Sequence, residues 1–121
     1  MRGLIAAALG YPARMSITGS LSKTAAPSGG IVTSDAVTIT VPNGSDGLLE
    51  EADRSDTGTV TLEFQRDGGG FTGGIPAGAA SNGSTLEARI TGASAGESST
   101  FSIVETTSGR IVGGPYTITA S

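Results

Sequence analysis

The sequence predicts an all-β protein, a single antiparallel sandwich of about seven short strands preceded by an N-terminal arm. Three observations lead to this expectation. Apolar and polar residues alternate with a period of two in several short runs, turn residues separate these runs at regular spacing, and 20 of the 121 residues are glycine. A helical domain would not tolerate so many glycines, because each costs roughly 1 kcal/mol in a helix relative to alanine.

The chain divides into three segments, and its length suits one domain. Residues 1–14 are the predicted docking arm. Residues 15–35 are rich in Ser, Gly and Ala and form a linker or a loosely paired first strand, for which residues 16–19 are the candidate. Residues 36–121 form the predicted β-sandwich domain.

The strands of that domain are predicted where apolar residues fall on one face. This pattern occurs in residues 36–41, 59–65, 84–90 and 99–106, and residues 116–120 complete the set. Successive side chains of a strand point to opposite faces, so one face of each strand is expected to lie in the core. The predicted inward residues are Val37, Ile39, Val41, Val60, Leu62, Phe64, Leu86, Ala88, Ile90, Phe101 and Ile103.

Turns and irregular stretches lie between these strands. RDGGG, residues 66–70, predicts a tight turn that leads into a short return strand over residues 71–76. TSGR, residues 107–110, predicts a hairpin turn, and residues 113–115 (GGP) predict a kink or bulge in the last strand. LLEEADRSD, residues 48–56, is interpreted as one short acidic helical turn.

The opening stretch, MRGLIAAALGYPARM, has three possible interpretations. Its apolar run, residues 3–10, is too short for a membrane span, which needs about 20 residues. One alternative is a minimal signal peptide. Another is that Met1 is a mistaken start and that Met15 is the biological first residue. We interpret the stretch as an arm that becomes ordered by burying apolar side chains against a partner. The residues expected to make that contact are Leu4, Ile5, Leu9 and Tyr11.

Composition excludes several function classes. The formal net charge is −4 and no basic cluster occurs, so we expect no nucleic-acid partner. The chain has no Cys and no His, which removes disulfides, thiolate metal sites, the usual zinc ligand and the common general base. Lys23 is the single lysine and lies in the linker-like segment. We therefore expect no catalytic residue, no cofactor and no metal.

Two groups of polar residues have a functional and a simpler interpretation. Asn43 and Asn82 each begin an Asn-Gly-Ser sequence, which fits a glycosylation site but also a tight turn, the interpretation we favour. A group of carboxylates is interpreted as a solvated surface, with a calcium site or a glycosidase pair as the alternatives. Its members are Asp46, Glu50, Glu51, Asp53 and Asp56.

Four segments carry a resemblance to immunoglobulin-like and fibronectin-like sandwiches. They are AVTITV, TVTLEFQRDGGGF, STLEARITGASAGESSTFSIVET and YTITA, and they extend from residue 36 to near the end of the chain. Within the third, Phe101 stands at the aromatic position of the fibronectin-like phrase and Ile103 follows it. The size, the Cys-free Gly/Ser/Thr-rich composition and the arm also resemble accessory domains of tailed-phage virions.

This resemblance implies a structural or interaction protein on a virion. We expect the arm to dock on a larger assembly, either a capsid or a tail, with self-association as a further possibility. The alternative is a carbohydrate-binding or adhesive module, secreted or at the cell surface. Phe71, beside the glycine-rich turn, is the aromatic residue on which a sugar would stack in that case.

Overall fold

A computed structural model describes residues 14–121 of the chain. This part contains nine strands and no helix. The described residues include no helix with the length and hydropathy needed to cross a membrane. The strands are β1 (Ser16–Thr18), β2 (Lys23–Ala25), β3 (Val32–Thr33), β4 (Val37–Thr40), β5 (Leu49–Asp56), β6 (Thr61–Arg66), β7 (Thr85–Thr91), β8 (Ser98–Glu105) and β9 (Ile111–Ala120).

The strands form two sheets. In the first sheet, β7 pairs along one side with β6 and along the other with β3 and β4, and β1 adds to the outer side of β4. The second sheet has the order β2-β9-β8-β5. All pairs are antiparallel except β2 with β9, which run parallel.

This order is that of an immunoglobulin-like sandwich, whose two sheets hold strands ABED and CFG. The first strand is divided between the sheets as β1 and β2, and the second strand is divided into β3 and β4. The described residues thus form nine strands where the sequence predicts about seven, because the first two predicted strands are each divided, but the all-β sandwich arrangement is as predicted. The predicted fold class is therefore confirmed.

The core lies between the sheets and contains the residues that the alternation predicts, of which Val41 is only partly buried. Phe64 of β6 and Phe101 of β8 are fully buried and meet edge to face, with 5.3 Å between ring centroids. Tyr116 of β9 lies 5.7 Å from Phe101 on the other side. The sequence pattern did not single out Met15 and Leu21, which are also buried. Both precede β2, so the segment before it is packed into the core.

Residues 48–56 are a strand, and the predicted helical turn is wrong. β5 pairs with β8 from Leu49 opposite Glu105 to Asp56 opposite Ser99. The helix-favouring Leu, Glu and Ala residues are outweighed by this pairing, which satisfies their backbone groups along β8. A bulge interrupts the register between Ala52 and Ser55, and Asp53 within it has a positive φ of 54°.

The predicted return strand over residues 71–76 is also wrong, although the turn before it is confirmed. Phe64 and Thr72 exchange two backbone hydrogen bonds of 2.9 and 2.8 Å, and this single bridge is all that the returning chain forms. β6 instead pairs with β7 over its whole length. The glycines at residues 73 and 74 favour a loop over a strand, because glycine contributes no side chain to cross-strand packing.

The hairpin between β8 and β9 follows the prediction. Glu105 N donates to Arg110 O at 2.8 Å, and Gly109 N donates to Glu105 O at 2.7 Å, which closes a turn over residues 106–110. Irregular register follows in β9, where Ile103 of β8 lies opposite Gly113. The predicted kink at residues 113–115 is therefore present as a bulge that separates the two halves of β9.

Candidate functional site

The four predicted docking residues, Leu4, Ile5, Leu9 and Tyr11, lie outside the described residues. What the structure does describe is the point where the arm joins the sandwich. Met15, the residue before β1, is 1% exposed, and its carbonyl oxygen accepts a hydrogen bond of 2.7 Å from Arg110 Nη2. The chain is therefore fixed to the domain directly after Arg14.

A groove lies at this junction, with a volume of about 450 Å³. Three parts of the chain build it: Arg14, the loop of residues 41–48 between β4 and β5, and the turn of residues 106–110 between β8 and β9. We call this side of the sandwich the open end. The groove is lined by Arg14, Gly44, Ser45, Asp46, Glu105, Thr107, Ser108 and Arg110.

Backbone contacts give the β4–β5 loop its shape. The chain turns at Asn43 and Gly44, and Ser45 N donates to Pro42 O at 3.1 Å. Gly47 has a φ of +70° and lies so close to Ala80 that an added Cβ would be 2.5 Å from the Ala80 carbonyl oxygen. Only glycine fits this position without strain. The loop is thereby held against the segment before β7.

A carboxylate and a hydroxyl join the two walls of the groove. The Thr107 hydroxyl of the β8–β9 turn donates to Asp46 Oδ2 of the β4–β5 loop, and Leu48 N donates to Asp46 Oδ1 at 3.1 Å. These two bonds, the Thr107 bond first, hold the pKa of Asp46 below its ordinary value of 3.8. Asp46 is therefore ionised at neutral pH.

The second carboxylate of the groove belongs to Glu105. Its Oε1 accepts a hydrogen bond of 2.5 Å from the Ser108 hydroxyl, and Arg110 Nε lies 4.0 Å from the same oxygen. The groove thus presents two carboxylates and two arginines around a pair of turns. Ile111 follows Arg110 in the chain and is not part of the groove lining; it is 52% exposed and is the large apolar side chain that stands out on the described surface.

This arrangement has the properties of a binding surface. It offers charged hydrogen-bonding groups at the rim, next to an exposed apolar side chain, as recognition sites do. No group of three or more His, Cys, Asp or Glu residues in the described range 14–121 is placed to hold a metal ion.

The remaining predicted carboxylates lie along β5, away from the groove. β5 is an edge strand of its sheet, and Arg54 bonds Asp56 at 2.9 Å and lies 3.8 Å from Glu51. Charges and a bulge on an edge strand prevent pairing with other chains. The interpretation as a charged surface therefore agrees with their placement, and only Asp46 of the group lies in the groove.

Phe71, the residue predicted to stack a sugar, is half-buried near β7. The Arg89 guanidinium lies over its ring, 4.0 Å from the centroid, and Arg89 Nε is 2.8 Å from Glu63 Oε1. One face of the ring is thus already covered by a cation that an ion pair holds in place. The carbohydrate alternative stays a prediction, restricted to the opposite face of this ring.

Asn43 and Asn82 occupy turns, as predicted. Asn82 Oδ1 also accepts a hydrogen bond of 2.9 Å from Val41 N, so this side chain ties the loop before β7 to the end of β4. Sequence reasoning missed five groove residues with polar side chains: Arg14, Glu105, Thr107, Ser108 and Arg110. No local motif marks them, because only the pairing of β8 with β9 and of β1 with β4 brings them together.

Comparisons with models of protein families, with curated proteins and with solved structures give no significant match. The functional argument for this chain therefore depends on its own residues.

Proposed function

We propose that this chain is a non-catalytic structural protein that docks through residues 1–14 on a larger protein assembly. The observation that supports the proposal is the junction at Met15. The arm leaves a folded domain at a point fixed by a buried side chain and by the 2.7 Å bond from Arg110. Because the junction at Met15 is fixed, a partner that binds the arm would also fix the position of the sandwich.

The binding energy would come from the apolar side chains of the arm. Leu4, Ile5, Leu9 and Tyr11 can each bury their surface in a partner groove, at about 25 cal/mol per Å² of apolar area. A few such side chains supply several kcal/mol before the entropy cost of association is subtracted. Many copies on one particle would add avidity to this modest affinity.

The assembly that we propose is a tailed-phage virion, with the chain as a capsid decoration or as a tail or fibre attachment. Three features support this choice: the immunoglobulin-like strand order, the Cys-free Gly/Ser/Thr-rich composition and the presence of an arm. Fold alone does not determine function, so the proposal depends on the arm.

The test is sedimentation with particles. Virions from the source of this sequence are purified on a density gradient, and the chain is quantified in the particle fraction. We expect a fixed number of copies per particle, and we expect the variant with Leu4→Ser, Ile5→Ser and Leu9→Ser to stay in the soluble fraction. Ala6→Ser and Ala8→Ser together are the matched control, which should still bind. Equal binding of the triple variant would refute docking through the arm.

Light scattering after size exclusion separates the possible partners. It compares the full chain with a version that begins at Arg14, because Met15 is buried and must be kept. A defined oligomer that becomes a folded monomer on truncation means that the arm binds other copies of the chain. Two folded monomers mean that the arm does not bind other copies of the chain, as docking on a different protein requires. An unfolded truncation means that the arm belongs to the domain core, and the proposal fails.

A further inference from the structure

We propose that the groove at the open end binds residues 1–13 of the same chain. This inference goes beyond the proposed function, because it concerns where the arm lies when no assembly is present. Three features support it: the position at which the arm joins the domain, the charges of the arm and the groove, and the exposed apolar side chain beside the groove.

Position is the first argument. Arg14, the residue that follows the arm, is itself part of the groove wall. Thirteen residues extend at most about 3.5 Å each, so every residue of the arm can reach the groove from this root. A ligand tethered by a short flexible segment has an effective concentration in the millimolar range. A second copy of the chain at micromolar concentration would compete poorly with it.

Charge is the second argument. The chain has 7 basic residues, of which Arg2 alone lies in residues 1–13, and all 11 acidic residues lie beyond residue 13. The described part therefore has 6 basic and 11 acidic residues, a formal charge of −5, and the arm side chains carry +1. The Asp46 and Glu105 carboxylates of the groove can attract Arg2; the groove also holds two arginines, Arg14 and Arg110, and Arg110 is engaged with Met15 O and lies 4.0 Å from Glu105.

The apolar neighbour of the groove is the third argument. Ile111 is 52% exposed and directly follows Arg110 of the groove wall, whereas Val104, which lies opposite Ile111 in the β8–β9 register, is 8% exposed. Leu4, Ile5 and Leu9 of the arm are the apolar residues that need a partner surface. Covering Ile111 with them removes apolar area of both segments from water, and this burial favours the bound arrangement.

Engineered disulfides test the proposal, because the natural chain has no cysteine. The test variant carries Ala8→Cys in the arm and Ser108→Cys in the groove, which leaves the apolar residues of the arm unchanged. The control carries Ala8→Cys and Thr40→Cys. Thr40 is exposed and lies opposite Ser16, close to the root of the arm but outside the groove lining.

Both variants of the full chain are oxidised at low protein concentration, and mass spectrometry identifies the linked residues. We expect the disulfide between positions 8 and 108 to form within one chain, roughly tenfold faster than the disulfide of the control, because the groove raises the local concentration of the arm. Equal rates would overturn the proposal. A disulfide that joins two chains would also overturn it and would identify a second copy as the occupant.

The charge contribution has its own measurement. Arg2→Glu, added to the variant with Ala8→Cys and Ser108→Cys, should slow disulfide formation severalfold, whereas Arg2→Lys should leave the rate nearly unchanged. An unchanged rate with Arg2→Glu would contradict the role of Asp46 and Glu105. This test is independent of the proposed docking on a particle. Failure of the disulfide to form would leave particle binding by the arm possible, and failure of particle binding would leave the disulfide possible.

Discussion

The two ends of the sandwich differ in how their turns are joined: the Glu97 carboxylate connects two turns at one end, whereas several separate contacts connect the turns at the open end. The first of these, the closed end, comprises residues 57–60, the turn of residues 92–97 and Ala120. Gly96 N donates to Ala120 O at 2.6 Å, and Ala120 N donates to Glu97 O at 2.8 Å. At the open end, Thr106 N donates to Leu48 O at 3.0 Å, and the Thr107–Asp46 and Arg110–Met15 bonds add connections through side chains.

The groove of about 450 Å³ lies at the open end, beside the Thr107–Asp46 bond that joins the β8–β9 turn to the β4–β5 loop. Segments tied by few, exposed bonds open at a lower free-energy cost than segments in a bonded network. The open end is thus suited to binding and the closed end to stability.

The largest expected effect comes from Gly47→Ala at the open end. The new Cβ would lie 2.5 Å from the backbone oxygen of Ala80, at a φ of +70°. Left-handed strain and the clash should together lower the free energy of unfolding by about 3 kcal/mol. Gly44→Ala in the same loop, at a φ of +89° but with no atom within 4 Å of the new Cβ, should lose about 1 kcal/mol.

Urea denaturation of the two glycine variants measures this difference. Equal losses would show that contact with Ala80 does not hold the loop, and the account of how the open end is shaped would then be wrong.

Glu97→Ala should give the next largest loss, because this carboxylate connects two turns of the closed end. Its Oε1 accepts from Ser94 N at 2.8 Å and its Oε2 from Thr59 N at 3.3 Å. Losing both should cost about 1.5 kcal/mol of unfolding free energy. Glu97→Gln retains one acceptor oxygen and should lose about half as much. If thermal and urea unfolding detect no loss of stability in Glu97→Ala, the turns of the closed end do not form a stabilising network.

The fold could be predicted because alternation within single strands carries the information. Val37 and Ile39, or Leu62 and Phe64, each repeat every second residue, and that period survives in the structure. β5 could not be predicted in the same way. Its Leu, Glu and Ala residues favour a helix locally, and only hydrogen bonding to β8, more than 40 residues later, makes it a strand.

The groove could not be predicted because no short sequence defines it. The sequence indicates that Asp46 belongs to an acidic group, but its partner Thr107 is 61 residues away, in a predicted hairpin turn. Arg110 bonds the carbonyl of Met15, 95 residues earlier. Such contacts depend on strand register, which a single sequence without its pairing partners does not determine.

β5 runs from the open end to the closed end, and Glu51 near its middle should respond to substitution less than Glu97. The Glu51 Oε2 atom is buried without a hydrogen-bond partner, and burial raises the pKa of this carboxyl above its ordinary value of 4.5. The ionised form is therefore destabilising. Glu51→Gln should raise the free energy of unfolding at pH 7 by less than about 1 kcal/mol, since the weak attraction of Arg54 is lost as well.

The pH dependence gives the sign of the Glu51 effect. Because the pKa of Glu51 is higher in the folded chain than in the unfolded chain, the protonated carboxyl favours the folded state. This contribution to stability is lost as the pH rises through the folded-state pKa. The advantage of Glu51→Gln should therefore be largest at pH 7 and should shrink as the pH falls towards 4.5. An advantage that is constant between these two pH values would contradict a contribution from ionisation.

The smallest effect is expected for Asp46→Asn at the open end, and it is the sharpest comparison with Glu97. Asn keeps an oxygen that can accept from Thr107 or Leu48 but loses the charge. Because the folded-state pKa of Asp46 is lowered, its contribution is present above the ordinary value of 3.8 and disappears as the pH falls through the lowered value. The variant should therefore be slightly less stable than the natural chain at pH 7, and the difference should shrink as the pH falls below 3.8.

Thr107→Val completes the comparison, because it removes the donor of the same bond while it keeps the shape of the side chain. Its loss and that of Asp46→Asn should be less than additive in the double variant, since both act on one contact. If Asp46→Asn instead costs as much as Glu97→Ala, side-chain bonds hold the open end as firmly as the network holds the closed end. The groove would then be a rigid feature of the domain, and an arm that enters it would have to fit its existing shape.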